Sequence, residues 1–201
     1  MKYDQQYFIA MSAGSENYPL LTWDDDLIKY DYTEFSRREP IEVYDMLYLK
    51  LGRPIPHHPE MVDFHELPEP VFVKPLKNIL HDLDINGIQL FEAQVRHGKT
   101  VYPDYYIMNV YHNIACLDKT RSKYDHKKYD DGVEFYFIDN LALDEAVLDT
   151  IPEKHRLIFG LTEDCQHILY HQKIVDAILA AKPKGISFAR VDGWSVGSAF
   201  D

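Results

Sequence analysis

Histidines offer the widest chemistry in this chain, which has ten of them. His57-His58 stands a few residues before Asp63 and His65. Neutral imidazoles with a carboxylate form the usual ligand set of a hydrolytic metal site, where the ion lowers the pKa of a bound water. His65-Glu66-Leu67-Pro68-Glu69 repeats the first half of the His-Glu-x-x-His pattern, but Glu69 occupies the place of the second histidine. His167 and His171 are spaced i, i+4, which on one helical face would let both grip an ion. The local pattern separates them, because His167 precedes a strand and His171 opens a helix. A metal-dependent hydrolase using His57, His58, His65 and Asp63 is therefore the enzymatic alternative, although nothing in the spacing fixes a geometry. For each histidine the competing reading is an ordinary surface or core side chain.

Two nucleophile patterns fare no better. Gly193-Trp194-Ser195-Val196-Gly197 matches the elbow pattern G-x-S-x-G, but that turn needs a following helix and a later acid and histidine. Four residues follow Gly197, and none is histidine. The segment reads as a flexible tail. Cys165 near His167 suggests a thiol nucleophile, yet catalytic partners meet through the fold and need a third, orienting group. Cys116, between Ala115 and Leu117, reads as core. No phosphate-binding or dinucleotide loop and no kinase signature is present, so the sequence holds no complete catalytic constellation and calls for no cofactor and no metal.

The elements that would position these residues follow from periodicity and turn chemistry. Tyr7 to Met11 opens as a strand, and Ile41 to Leu51 reads as a second that stops at Gly52-Arg53-Pro54. Six prolines between Pro54 and Pro75 rule out a long helix, so that stretch reads as an extended connector containing a short strand, Val71-Phe72-Val73. Leu76, Ile79, Leu80 and Leu83 follow helical spacing, with Pro75 suited to the first turn and Asn86-Gly87 ending the run. Ile88 to Val95 and Tyr105 to Tyr111 read as strands around the turn His97-Gly98-Lys99. Val133 to Ile138 and Leu157 to Leu161 follow as strands, with a helical turn over Asp144 to Leu148. Ile168 to Tyr170 precedes a helix over 171–181, Gly185 caps it, and Ile186 to Val191 returns to strand. The expected fold class is α+β, a mostly antiparallel sheet with a few helices, as one domain or two packed lobes.

The order of these pieces carries a resemblance. Pro75-Leu76-Lys77-Asn78-Ile79-Leu80, Asn86-Gly87-Ile88, Tyr105 to Val110, Cys116-Leu117-Asp118 with Ser122 behind it, Arg156 to Leu161, His171 to Ile178 and Lys184-Gly185-Ile186-Ser187-Phe188 together resemble the Imm11 family, bacterial immunity partners of secreted polymorphic toxins. The resemblance implies a protein that binds and silences a cognate protein toxin and is not itself an enzyme. It divides the chain into an Imm11-like α+β region over 71–201 and, over 1–70, a variable acidic lobe with the Pro-rich connector. It brings no functional residues with it.

Composition is consistent with that division of labour. The chain has 201 residues, 46% of them hydrophobic, enough for a core without staples. Two cysteines in separate apolar stretches suit a reducing compartment. The start lacks an apolar signal region and no stretch approaches a membrane span, so the expectation is a cytoplasmic, soluble protein with no membrane partner. A net charge of -12 repels phosphate backbones and argues against nucleic acid. The one basic cluster, Lys119 to Lys128, is interrupted by aspartate. Residues 1–70 hold 14 acidic and 6 basic side chains against 19 and 15 in the rest, so the field is concentrated there. Within it Trp23, Asp24, Asp25, Asp26, Tyr30, Asp31, Tyr32, Glu34 and Phe35 interleave carboxylates with aromatics. That pattern suits an interface in which aromatics anchor and carboxylates steer a basic partner; a solvated loop with its aromatics in the core is the alternative.

Overall fold

Apolar alternation and turn residues set most of the elements in the computed structural model, which describes residues 1–128, 134–164 and 166–198. The first half holds β1 (Tyr7–Ser12), β2 (Leu21–Trp23), β3 (Leu47–Leu51), β4 (Phe64–His65) and β5 (Val71–Val73). Helix α1 (Lys74–Asp82), the long hairpin β6 (Ile88–His97) and β7 (Thr100–Val110), and β8 (Asn113–Ile114) come next. The remainder holds β9 (Lys123–Lys128), β10 (Glu134–Asn140), α2 (Glu145–Asp149), β11 (Ile158–Leu161), β12 (Ile168–His171), α3 (Gln172–Ala180) and β13 (Ile186–Arg190). The fold class is α+β with antiparallel pairing dominant, as the sequence leads one to expect.

Local chemistry explains the element ends. Pro75 sits in the first turn of α1, where its missing N–H costs no helical hydrogen bond. Asp144 caps α2 by accepting from the Ala146 and Val147 N–H groups, and His171 Nδ1 caps α3 by accepting from the Lys173 N–H at 3.3 Å. The β6–β7 hairpin closes at His97 opposite Thr100, with Gly98 in the left-handed region that a tight turn demands.

Strands assemble into a six-stranded sheet, in the order β2-β3-β6-β7-β5-β4, a five-stranded sheet, in the order β13-β1-β12-β11-β8, and the two-stranded ribbon β9-β10. Only the β3–β6 and β8–β11 pairs are parallel among the described residues. The first 70 residues supply β1, which lies between β12 and β13, and β2, β3 and β4 of the larger sheet. The Pro-rich stretch expected as a connector contributes β4 and β5 to that sheet, with Val71 opposite Ile107. Leu76 and Leu80 of α1 and Ile174, Val175 and Ile178 of α3 share one core with Phe72 and Met108 of one sheet and Ile158, Ile168 and Tyr170 of the other. Each such side chain contributes about 1.5–3 kcal/mol of burial free energy, which fastens the two sheets together through the helices.

Some expectations need correction. The strand read over Ile41 to Leu51 covers only Leu47–Leu51, because the Ile41 backbone bonds to the Gln89 side chain at 3.0 and 2.9 Å instead of entering a ladder. The segment read as a flexible tail is packed: Trp194 is buried, the Val196 N–H donates to the Asp139 carbonyl, and Ser195 bridges to Asn140. The end of the basic cluster, Lys123–Lys128, forms β9, where Lys123 pairs with Asp139 at 3.0 Å and Lys128 with Glu134 at 2.9 Å. Val133, read as the first residue of a strand, lies outside the described residues.

Candidate functional site

The acidic-aromatic stretch divides into two faces. Asp24 is 0% exposed; its carboxylate meets Arg96 Nη2 at 2.8 Å and Nε at 3.0 Å, and Lys50 Nζ at 3.6 Å. Trp23 is 8% exposed, stacked on Tyr32 with ring centroids 5.2 Å apart and tilted against Phe35, itself 1% exposed. Trp23 and Phe35 face the protein's own core with Leu49, Val95 and Ile107, and Asp24 is buried under Arg96 and Lys50. Outward stand Asp25 and Asp26, 3.8 and 4.0 Å from Lys50, and Asp31, which accepts from the Thr33 N–H and starts the short turn Tyr32–Arg37. Tyr30 and Tyr32 are half-buried and donate to Glu34 and Asp25 respectively. Burial, reinforced by the Glu34 carboxylate, pushes the Tyr30 hydroxyl well above its ordinary pKa, so it stays a donor. The stretch thus presents carboxylates to solvent, while two of the aromatics expected as anchors are committed to the core.

The hydrolase residues are not brought together. His57 and His58 are exposed neighbours. His65 is buried with Nδ1 3.0 Å from the Pro19 carbonyl, and Asp63 accepts from the Lys184 N–H at 2.8 Å. Among the described residues no group of three or more His, Cys, Asp and Glu side chains stands together as a metal site. His167 precedes β12 and His171 ends it, as the sequence pattern requires, and His167 Nδ1 lies 3.0 Å from Asp164. Cys165, paired with His167 in the thiol reading, lies outside the described residues. Cys116 is a free, buried thiol whose pKa burial pushes up, which suits core and not catalysis. Ser195 begins no helix, and its hydroxyl faces that of Ser198 at 3.4 Å.

A cleft of about 880 Å³ opens where β1 leaves and β12 enters the five-stranded sheet. The turn between β4 and β5 forms one wall with Glu66, Leu67 and Glu69, and β10 with the Trp194–Ser198 segment forms the other. Arg38 and Tyr170 lie among its lining residues. The Tyr170 hydroxyl is buried with no hydrogen-bond partner among the described residues. Burial raises the Glu69 carboxyl above its ordinary pKa, and the Arg38 charge offsets that only in part. Three of the molecule's exposed apolar side chains stand on this rim: Leu67 at 49%, Phe137 at 51% and Val196 at 66% exposure. Sequence reading missed this site. Its residues come from six separate stretches, and the local signals among them, the half-pattern His65-Glu66-Leu67-Pro68-Glu69, the Gly193–Gly197 pattern and His167, pointed to catalysis and not to a shared cleft.

Among the described residues no helix is long and apolar enough to cross a membrane. No curated protein matches the chain. A family model does: the immunity protein family Imm11 matches residues 37–193, from the end of the acidic stretch through β13 and the turn after it. That span covers most of the chain and every strand of the two sheets except β1 and β2, and on it this protein belongs to the Imm11 family of immunity proteins.

Proposed function

We propose that this protein neutralises a cognate secreted toxin by forming a stoichiometric complex with it in the cytoplasm, without catalysis of its own. The family match over residues 37–193 carries this reading. Its second support is the surface. An inhibitor of this kind needs complementary charge and anchors more than a tuned catalytic pKa. The net charge of -12 and the exposed Asp25, Asp26 and Asp31 suit a basic partner, and the same field disfavours nucleic acid. We assign the acidic face of the 23–35 stretch to this partner, with Asp25, Asp26, Asp31 and Glu34 steering, Tyr30 and Tyr32 at its edge, and Trp23, Asp24 and Phe35 holding it in shape from beneath. The stretch lies before the matched residues.

The test is expression of the toxin encoded beside this gene in cells that do or do not make this protein. Growth is expected only in cells that make it, together with recovery of an equimolar complex. Equal killing in both cultures, with both proteins folded, would sink the reading.

A further inference from the structure

The acidic face lacks an anchor. Binding free energy in protein interfaces concentrates in a few central, desolvated side chains, whereas exposed charges mostly set encounter rates. Trp23 and Phe35, the large aromatics of that face, are committed to the core. The cleft between the β4–β5 turn and β10 supplies the missing feature, and the two surfaces adjoin: Ser36 and Arg38, at the end of the short turn that carries Glu34, line the cleft.

We propose that this cleft receives a protruding toxin loop bearing an arginine or lysine beside an apolar residue, the cation seated at Glu66 and Glu69 and the apolar flank against Leu67, Phe137 and Val196. This rests on the immunity reading and names the site that reading requires. The apolar rim, the lining charges, the buried polar atoms and the volume carry it. The exposed apolar side chains at the rim come from three elements that meet only here, and an apolar cluster at the mouth of a cavity marks a place where another molecule is desolvated. The lining is acidic on balance, with Glu66 and Glu69 against Arg38, whose charge also acts on Glu69 and on the nearby Asp164, while Asp139 is paired with Lys123. Glu69 is forced upward in pKa by a burial that Arg38 only partly offsets, and a second cation would relieve that cost. The Tyr170 hydroxyl, buried and without a partner among the described residues, offers an acceptor to an incoming guanidinium or ammonium. The volume, about 880 Å³, falls in the range of roughly 300–1,000 Å³ typical of ligand sites and exceeds what one side chain fills, so the occupant is a loop tip.

The probe is the neighbouring gene's toxin, made harmless by substitution of its own catalytic residue, and the readout is association and dissociation rates on immobilised wild-type protein. Phe137→Ala and the double variant Glu66→Gln, Glu69→Gln alter exposed or half-exposed side chains, and circular dichroism checks that they fold. Each is expected to raise the dissociation rate about tenfold or more with association changed by less than about threefold, while Leu179→Ala, on the exposed face of α3, changes neither. In a Trp23→Phe background Trp194 is the only tryptophan, and toxin binding is expected to shift its emission. Tight binding by wild type with both cleft variants within about twofold of it, and no shift in Trp194, overturns the site and leaves the immunity reading standing. A loss with Phe137→Ala but not with the glutamine double variant overturns the cationic occupant. No binding by folded wild type sinks the immunity reading, and the site with it.

Discussion

At the scale of single residues, the buried polar side chains show what the molecule spends on folding. Trp23 and Asp24 illustrate it: Asp24 sits under Arg96 and Lys50, and Trp23 closes the core above Phe35. Removing Trp23 costs packing on the order of 3 kcal/mol before any partner is considered. His65 gives a sharper prediction. Burial holds its pKa down at about 4, against an ordinary 6.5, although the Pro19 carbonyl pulls the other way. Because the folded form takes up the proton less readily than the unfolded chain, the unfolded state gains protons first as pH falls. The stability tied to the neutral ring is therefore full above about pH 6.5 and is lost progressively toward pH 4, by up to about 3 kcal/mol. Urea unfolding at pH 7 and pH 4.5 should show a loss for wild type that is about 2 kcal/mol larger than for His65→Gln, which cannot take up the proton. Equal losses in the two proteins would assign the acid limb to other groups.

Among the elements, the junction of α3 and β13 leaves the chain little freedom. Gly185 has φ +84, and a Cβ there would stand 2.5 Å from a Val62 methyl and 2.9 Å from the Phe64 carbonyl. The close approach lets the Asp63 N–H reach the Lys184 carbonyl at 3.1 Å and the Ala13 N–H reach the Gly185 carbonyl at 3.0 Å, tying β13 to β1 and to the residue before β4. Gly185→Ala combines a left-handed backbone with a backbone clash and should cost at least ~2 kcal/mol. A midpoint of thermal unfolding within about 2 °C of wild type would show that the junction can yield. The sequence signal for this glycine was correct in kind, a residue placed past a helix as a stop, but α3 ends at Ala180 and the glycine's tightest neighbours lie about 120 residues earlier.

For the whole molecule, the distribution of charge decides how a partner approaches. Asp25 and Asp26 are exposed, with Lys50 beside both and the Tyr32 hydroxyl donating to Asp25, whereas Asp24 is buried and belongs to the fold. If the acidic face steers a basic toxin, Asp25→Asn with Asp26→Asn should slow association severalfold at low salt, and the gap should close as the screening length falls from ~30 Å at 0.01 M toward ~3 Å at 1 M. Dissociation should not change, since exposed carboxylates supply little of the final contact energy. An association rate that matches wild type at every salt concentration would leave the face as an ordinary solvated surface.

Several features were settled by the sequence itself. Pro75 with the spacing of Leu76, Ile79 and Leu80 made α1, Gly98 made the β6–β7 hairpin, and Asp144 started α2, because each acts through neighbours within about one turn of chain. The separation of His167 from His171 was equally readable, since four residues of extended strand set their Cα atoms about 13 Å apart, against about 6 Å in a helix. Two things belonged to tertiary structure. Which aromatics of the 23–35 stretch face inward depends on β2 pairing with β3 and on Arg96 reaching across from β6, contacts between residues far apart in the chain. The cleft likewise exists only because the β4–β5 turn, β12, β10 and the Trp194 segment converge, and no local pattern records that Glu66, Phe137, Tyr170 and Val196 will share one cavity.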